Sequence, residues 1–248
     1  MTDLTGKIAL ITGASSGIGE ATAHHLSKAG VKVALAARRK DKLDALVQEI
    51  EANGGSAMAI EADVTDMTVC QSAVEQVSDQ WGKLDILVNN AGVMLIGPVA
   101  ELPVENWERM IKLNELGLLY MTRSSLNELK KTDGHIVNIS SVAGRTTGQG
   151  SAVYNMTKWG VNAFTEALRK ELVDEKSGVR TTLIEPGAVA TELQSHNTPE
   201  TQDKLKARFG DIKILEADDI AAGIMYAVSQ PNHVNVNEIL IRPTQQPL

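Results

Sequence analysis

The chain of 248 residues holds one cysteine, Cys70, and few rings: three Trp, three Tyr and two Phe. A single thiol cannot close an internal disulfide, so stability must come from a packed core, and a reducing, cytoplasmic setting is expected. Aromatics make up only 3% of the residues, so that core has to be built from Ala, Val, Ile and Leu. Basic residues are also short, with 24 Lys and Arg against 31 Asp and Glu and a formal net charge of −7. Phosphate backbones are gripped by basic surfaces with stacking platforms, and neither is abundant, so no nucleic-acid partner is expected. Long apolar runs are missing too. Ile220–Val228, among the longest at nine residues, is well short of the roughly 18 needed for a membrane span, so the chain reads as water-soluble with no membrane contact. The first strand-like run begins at Lys7, so no secretory leader is expected. The five histidines (His24, His25, His135, His196, His233) are scattered without ligand spacing, so no metal is expected.

What the chain does have is a repeating alternation. Strand-like runs fall at Lys7–Thr12, Val31–Ala36, Ala57–Glu61, Leu84–Asn89, Gly134–Ser140, Val179–Ile184 and Val236–Ile241. Several are nearly continuous apolar stretches, the pattern of parallel strands covered on both faces. Between them lie helix-period segments such as Asp41–Asn53, where Leu43, Leu46, Val47 and Ile50 recur at spacings of three and four before Gly54 and Gly55 end the pattern. Strand and helix in strict alternation predict an α/β fold, a Rossmann-type doubly wound parallel sheet of seven strands with helices on both faces. No linker divides it, so residues 1–248 read as a single domain. The charged stretch 188–215, with Pro199 and Gly210, reads as a helix-containing insertion or lid at the carboxyl edge of the sheet.

The first strand runs into Thr12-Gly13-Ala14-Ser15-Ser16-Gly17-Ile18-Gly19, followed by a helical stretch. Glycines at such a turn let the backbone approach a pyrophosphate, and the helix start offers free N–H groups and a partial positive charge. The Gly-x-x-x-Gly-x-Gly spacing departs from the usual dinucleotide fingerprint. The second strand ends in Ala36-Ala37-Arg38-Arg39, roughly 20 residues past the first glycine, where an NAD site places Asp or Glu on the ribose 2′-hydroxyl. A guanidinium there suits the 2′-phosphate of NADP, with Arg38 as the main contact beside Arg39. The alternative is that both arginines begin the solvated face of the next helix with Lys40 and Lys42.

Tyr154 and Lys158 stand four residues apart in a helical run, hence on one face. A phenol with pKa near 10 is a poor acid or base at neutral pH, and a neighbouring ammonium stabilises its phenolate, so the pair is suited to exchanging a proton with a carbonyl or alcohol. Ser140 and Ser141 close the fifth strand at the edge where such sheets bind ligands.

These motifs together, with Asp63-Val64, Asn89-Asn90-Ala91-Gly92, Asn114 and Pro186-Gly187 followed by Thr191, resemble those of the short-chain dehydrogenase/reductase family in its compact one-domain form. The ending Asn237-Glu238-Ile239-Leu240-Ile241-Arg242-Pro243-Thr244 is similar to that of the clavulanate dehydrogenase-like and NADP-dependent serine or 3-hydroxy-acid dehydrogenase-like members. The resemblance implies that Tyr154 donates the proton, that Lys158 lowers its pKa and holds the nicotinamide ribose, and that Ser141 polarises the substrate oxygen. Asn114 would hold a water in a proton relay. For the cofactor, it implies Gly13, Ser15, Ser16, Gly17, Ile18 and Gly19 at the phosphates, Arg38 and Arg39 at the 2′-phosphate, and Asp63 and Val64 at adenine. Asn90, Ala91 and Gly92 would meet the ribose, and Pro186, Gly187, Val189 and Thr191 the carboxamide. Met94, Arg145, Gln149 and Leu193 are added as substrate-side positions. The function implied is an NADP-dependent carbonyl reductase or alcohol dehydrogenase, assembled as a homotetramer or a dimer. The alternatives are a 3-oxoacyl thioester reductase and a non-catalytic dinucleotide-binding regulator. Ser16 stands where NADP-preferring members often carry a basic residue, so the arginines alone carry the NADP reading.

Overall fold

Burial on both faces organises the sheet. In a computed structural model describing residues 2–210 and 212–246, the strands are β1 (Ile8–Thr12), β2 (Lys32–Ala37), β3 (Ala57–Glu61), β4 (Ile86–Asn89), β5 (His135–Ile139), β6 (Arg180–Pro186) and β7 (Glu238–Ile241). All are parallel, in the order β3-β2-β1-β4-β5-β6-β7. Their alternating side chains feed two apolar layers. Ala9 and Ile11 of β1 face a layer closed by α1 (Gly17–Lys28), α2 (Lys40–Ala52) and α8 (Ala217–Val228), through residues such as Leu26, Leu43, Ile50 and Ile224. Ile8 and Leu10 face the other, closed by α3 (Met67–Trp81), α5 (Gly117–Thr132) and α6 (Ala152–Asp174), through Val77, Met121, Leu129 and Leu172. Each fully buried Leu or Ile contributes roughly 1.5–3 kcal/mol, and the buried residues of both layers are aliphatic or small, with Trp81, Tyr120 and Phe164 packed partly buried against the second. Cys70 lies inside the second layer and donates to the Val64 carbonyl.

The expected strands are all present, shifted by a residue or two at their ends, with β6 extended to Pro186. The stretch Val104–Lys131, whose length in the sequence reads as one long helix, is not continuous. A π-helical turn, Ile111–Leu116, separates α4 (Val104–Met110) from α5. The 188–215 stretch contains a 3-10 turn, Glu192–His196, and α7 (Pro199–Phe209); its Asp211 lies outside the described residues. Among the described residues no helix is long and apolar enough to cross a membrane.

β1 has β2 on one side and β4 on the other, so the strand order reverses there. Such a reversal opens a crevice at the carboxyl ends of the strands. A cavity of about 500 Å3 occupies that edge.

Candidate active site

The floor of the cavity is the turn after β1. Gly13 has φ +64°, and a Cβ there would come within 2.9 Å of the Ala91 Cα. Gly17 has φ +59° and faces Thr191, whose Cγ2 would lie 3.1 Å from a Cβ. Both positions therefore need glycine for conformation and for space. Ser16 opens α1 without capping it through its side chain, so the helix's first N–H groups are left for a ligand. Asn90 staples the turn to β4, donating from Nδ2 to the carbonyls of Thr12 at 2.9 Å and Gly13 at 3.2 Å. Asn89 instead turns into the sheet and donates to Thr122 and Asn138.

Ser15, Ser16, Ile18, Asp63, Val64, Ala91 and Gly92 line the same cavity, with Pro186, Gly187, Val189 and Thr191 on the other wall. Gly19 does not line it; it packs behind the turn, where a Cβ would meet the Gly13 carbonyl at 2.5 Å. Arg38 and Arg39 both line it and behave differently. Arg38 is exposed and has no hydrogen-bond or ion-pair partner among the described residues. Arg39 donates to the hydroxyls of Ser15 and Ser16, at 2.9 and 2.8 Å, and pairs with Glu192 at 2.8 Å.

At the far end stand Tyr154 and Lys158, both buried on α6 and one turn apart. The Lys158 ammonium donates to the Ile139 carbonyl at 2.9 Å and sits 5.9 Å from the centre of the Tyr154 ring. Ser141, just beyond β5, accepts from the Ala143 amide at 3.1 Å and donates to the Pro186 carbonyl at 3.4 Å, and it lines the cavity together with Tyr154. The expectation that Lys158 depresses the phenol pKa is not met in this structure. Burial pushes Tyr154 up to about 12, against a smaller opposing influence of the nearby Ser141 hydroxyl. Burial also pushes Lys158 down to about 8. Withdrawing a phenolate and an ammonium from water outweighs their attraction at this separation.

Asn114 lies in the π turn behind the cavity wall rather than in it. Its side chain pairs with the Val93 backbone, accepting from the amide at 2.8 Å and donating to the carbonyl at 2.9 Å, and also reaches Thr157 at 3.1 Å. Met94 and Leu193 line the cavity as expected of substrate-side residues. Arg145 and Gln149 are not brought to it. Arg145 is held to Glu185 at 2.7 Å and to Glu238, and this neutralisation of the fully buried Glu185 keeps its guanidinium away from the site. Gln149 is exposed outside the cavity.

Sequence reasoning missed several wall residues. Thr146, Asn155, His196, Arg242 and Gln246 all line the cavity. Gln246 accepts from the Ala188 amide at 2.9 Å, closing the wall from the far end of the chain. Asn197 ties the 188–215 stretch across the cleft, accepting from the Ile96 amide at 2.8 Å and donating to the Met94 carbonyl at 2.9 Å. Arg242 falls within the ending Asn237–Thr244 that carries part of the resemblance and His196 within the 188–215 stretch, whereas no motif marks Thr146, Asn155 or Gln246.

The cavity thus has, at one end, an uncapped helix start, a glycine cradle and Arg38, which has no partner among the described residues. At the other it has a buried Tyr, Lys and Ser. These features fit a nicotinamide dinucleotide laid from end to end. Residues 7–202 match the family described as short chain dehydrogenase. An oxidoreductase of Staphylococcus haemolyticus is 41% identical over 244 residues, covering 98% of this chain and 100% of its own. The closed form of a serine dehydrogenase complexed with NADP+ superposes with a TM-score of 0.90 at 34% identity, over 97% of this chain and 96% of that one. A short chain dehydrogenase/reductase from Burkholderia phymatum in complex with NAD has a TM-score of 0.88 at 27% identity, over 97% and 90% of the two chains.

Proposed function

The chain belongs to the short-chain dehydrogenase family of oxidoreductases, and from that premise we propose that it is an NADP-linked enzyme interconverting a ketone or aldehyde with its alcohol. The observation that carries this reading is the placement of Tyr154, Lys158 and Ser141 in one cavity with the uncapped start of α1. The cofactor, when bound, supplies or takes up the hydride at the substrate carbon.

The protein's own residues supply the rest. Tyr154, kept protonated by burial, donates its proton to the carbonyl oxygen as reduction proceeds. Ser141 gives that oxygen a second donor by releasing the Pro186 carbonyl, a long contact that is cheap to break. Lys158 has hydrogen-bonding capacity beyond the Ile139 carbonyl, enough to hold ribose hydroxyls and to stabilise the phenolate left behind. Asn114 fixes the wall through Val93. Arg38, with no competing partner among the described residues, takes the 2′-phosphate. The apolar Met94, Ile96 and Leu193 exclude water from the reacting carbon. The 188–215 stretch serves as the lid. The working form is a homotetramer in the cytoplasm, where one unpaired thiol suits a reducing setting.

Replacing Tyr154 by Phe tests the proposal. Oxidation of NADPH by a panel of aldehydes and ketones should fall at least about 100-fold, the scale of a lost general acid, while NADPH binding followed by fluorescence stays within a few-fold. Full turnover in Tyr154→Phe would overturn the assignment.

A further inference from the structure

The Glu192 carboxylate is seated among the donors that a 2′-phosphate would use. One oxygen meets Arg39 at 2.8 Å, and the other faces the Lys42 ammonium at 3.6 Å. The remaining donors of the same guanidinium go to Ser15 and Ser16. Glu192 does not come from the end of β2, where an acidic residue reading a ribose hydroxyl ordinarily stands. It comes from the opposite wall, as the first residue of the 3-10 turn on the 188–215 stretch. That turn is held locally by Thr191, whose hydroxyl accepts from the Leu193 amide, and beyond it by Asn197 across the cleft. The carboxylate is therefore presented by an anchored segment. Arg39 and Ser16 hold its carboxyl below the usual range, so it is ionised at neutral pH.

We infer that Glu192 discriminates between the two nicotinamide dinucleotides: it competes with a 2′-phosphate for Arg39, and it offers an acceptor to the ribose 2′-hydroxyl of a cofactor lacking that phosphate. The inference rests on the dinucleotide reading given above. A phosphate dianion and a carboxylate repel when they share one guanidinium, so NADP(H) binds only by displacing or tolerating Glu192. NAD(H) meets no such conflict. Arg39 and Glu192 have side-chain exposures of 42% and 48%, so the effect is modest and screened by salt.

The test is direct titration of the full-length protein with NADPH and with NADH, followed by fluorescence, for the unsubstituted chain, Glu192→Gln and Glu192→Ala. Both variants should tighten NADPH by roughly 3- to 10-fold, with the gain shrinking at high salt. NADH should weaken by about 2- to 5-fold, more in Glu192→Ala, which removes the acceptor altogether. Unchanged or weaker NADPH binding in both variants, or equal shifts for the two cofactors, would overturn the inference alone. Binding of neither cofactor by the unsubstituted protein would overturn the dinucleotide reading and the inference with it.

Discussion

Residue by residue, burial sets the chemistry of the titratable groups in this protein. Tyr154 and Lys158 are moved in opposite directions by the same withdrawal from water, and each is thereby kept closer to its neutral form. His135 is the extreme case. Burial, aided by the Arg180 charge, pushes its imidazole down to about 3 from an ordinary value of 6.5. It shares one hydrogen bond with Thr182 at 2.7 Å, and its other ring nitrogen has no partner among the described residues. The folded state thus refuses a proton that the unfolded chain accepts below pH 6.5. Stability is fully present above that pH and is lost as the pH falls toward 3, by up to about 1.4 kcal/mol per unit from this group. Replacing His135 by Gln should therefore flatten the acid side of the stability profile. Between pH 7 and pH 4.5, urea denaturation should show the unsubstituted protein losing about 2–3 kcal/mol more than the variant. Parallel losses would mean that His135 does not titrate on unfolding.

Among the elements, the π turn Ile111–Leu116 is the one the sequence pattern did not announce. Apolar spacing from Val104 to Lys131 reads as one helix, and the extra residue in the turn leaves that spacing nearly intact. Its cause is tertiary. Asn114 must point inward to serve both backbone groups of Val93, 21 residues earlier in the chain, and the wider turn accommodates that demand. Asn114→Ala would leave a buried amide and a buried carbonyl unpaired. It should lower stability by about 2–4 kcal/mol in urea denaturation, whereas Lys112→Ala, on an exposed residue of the same turn, should change it by less than about 0.5 kcal/mol. Equal effects would show that the Val93 contacts do not support the turn. By contrast α3 is ended by legible local chemistry: Asp66 accepts from the Thr68 amide at 2.7 Å at one end, and Gly82 with φ +81° stops it at the other.

On the scale of the whole molecule, the apolar side chains left outside the core bear on the proposed assembly. Met156 and Trp159 on α6 and Val104 on α4 are each about half exposed, at 50%, 49% and 55%. The stretches Val104–Lys131 and Ala152–Glu175, which carry α4, α5 and α6, are long enough in the sequence to pack against copies of themselves, and covering these rings and branches between copies would account for their exposure. Sedimentation equilibrium should give a tetramer for the unsubstituted chain and a smaller species for Trp159→Asp. A monomer at working concentration would remove the proposed assembly.

The sequence by itself determined the sheet, its two covering layers, the glycine turn, and the pairing of Tyr154 with Lys158. These features are written locally, in apolar runs and in spacings that match the periods of strand and helix. The tertiary structure decided the rest. It took Arg145 out of the site by giving it Glu185 and Glu238, 40 and 93 residues away. It also set Glu192 on Arg39 across 153 residues, and folded Gln246 against Ala188. Contacts between distant segments leave no periodic trace in the chain, and the free energy of an ion pair or a buried amide depends on where the fold places its partner. The scarcity of rings and cysteine bears on both levels. A core of small aliphatic residues needs only the right pattern to form, while the polar groups that do chemistry had to be brought together and removed from water by the fold.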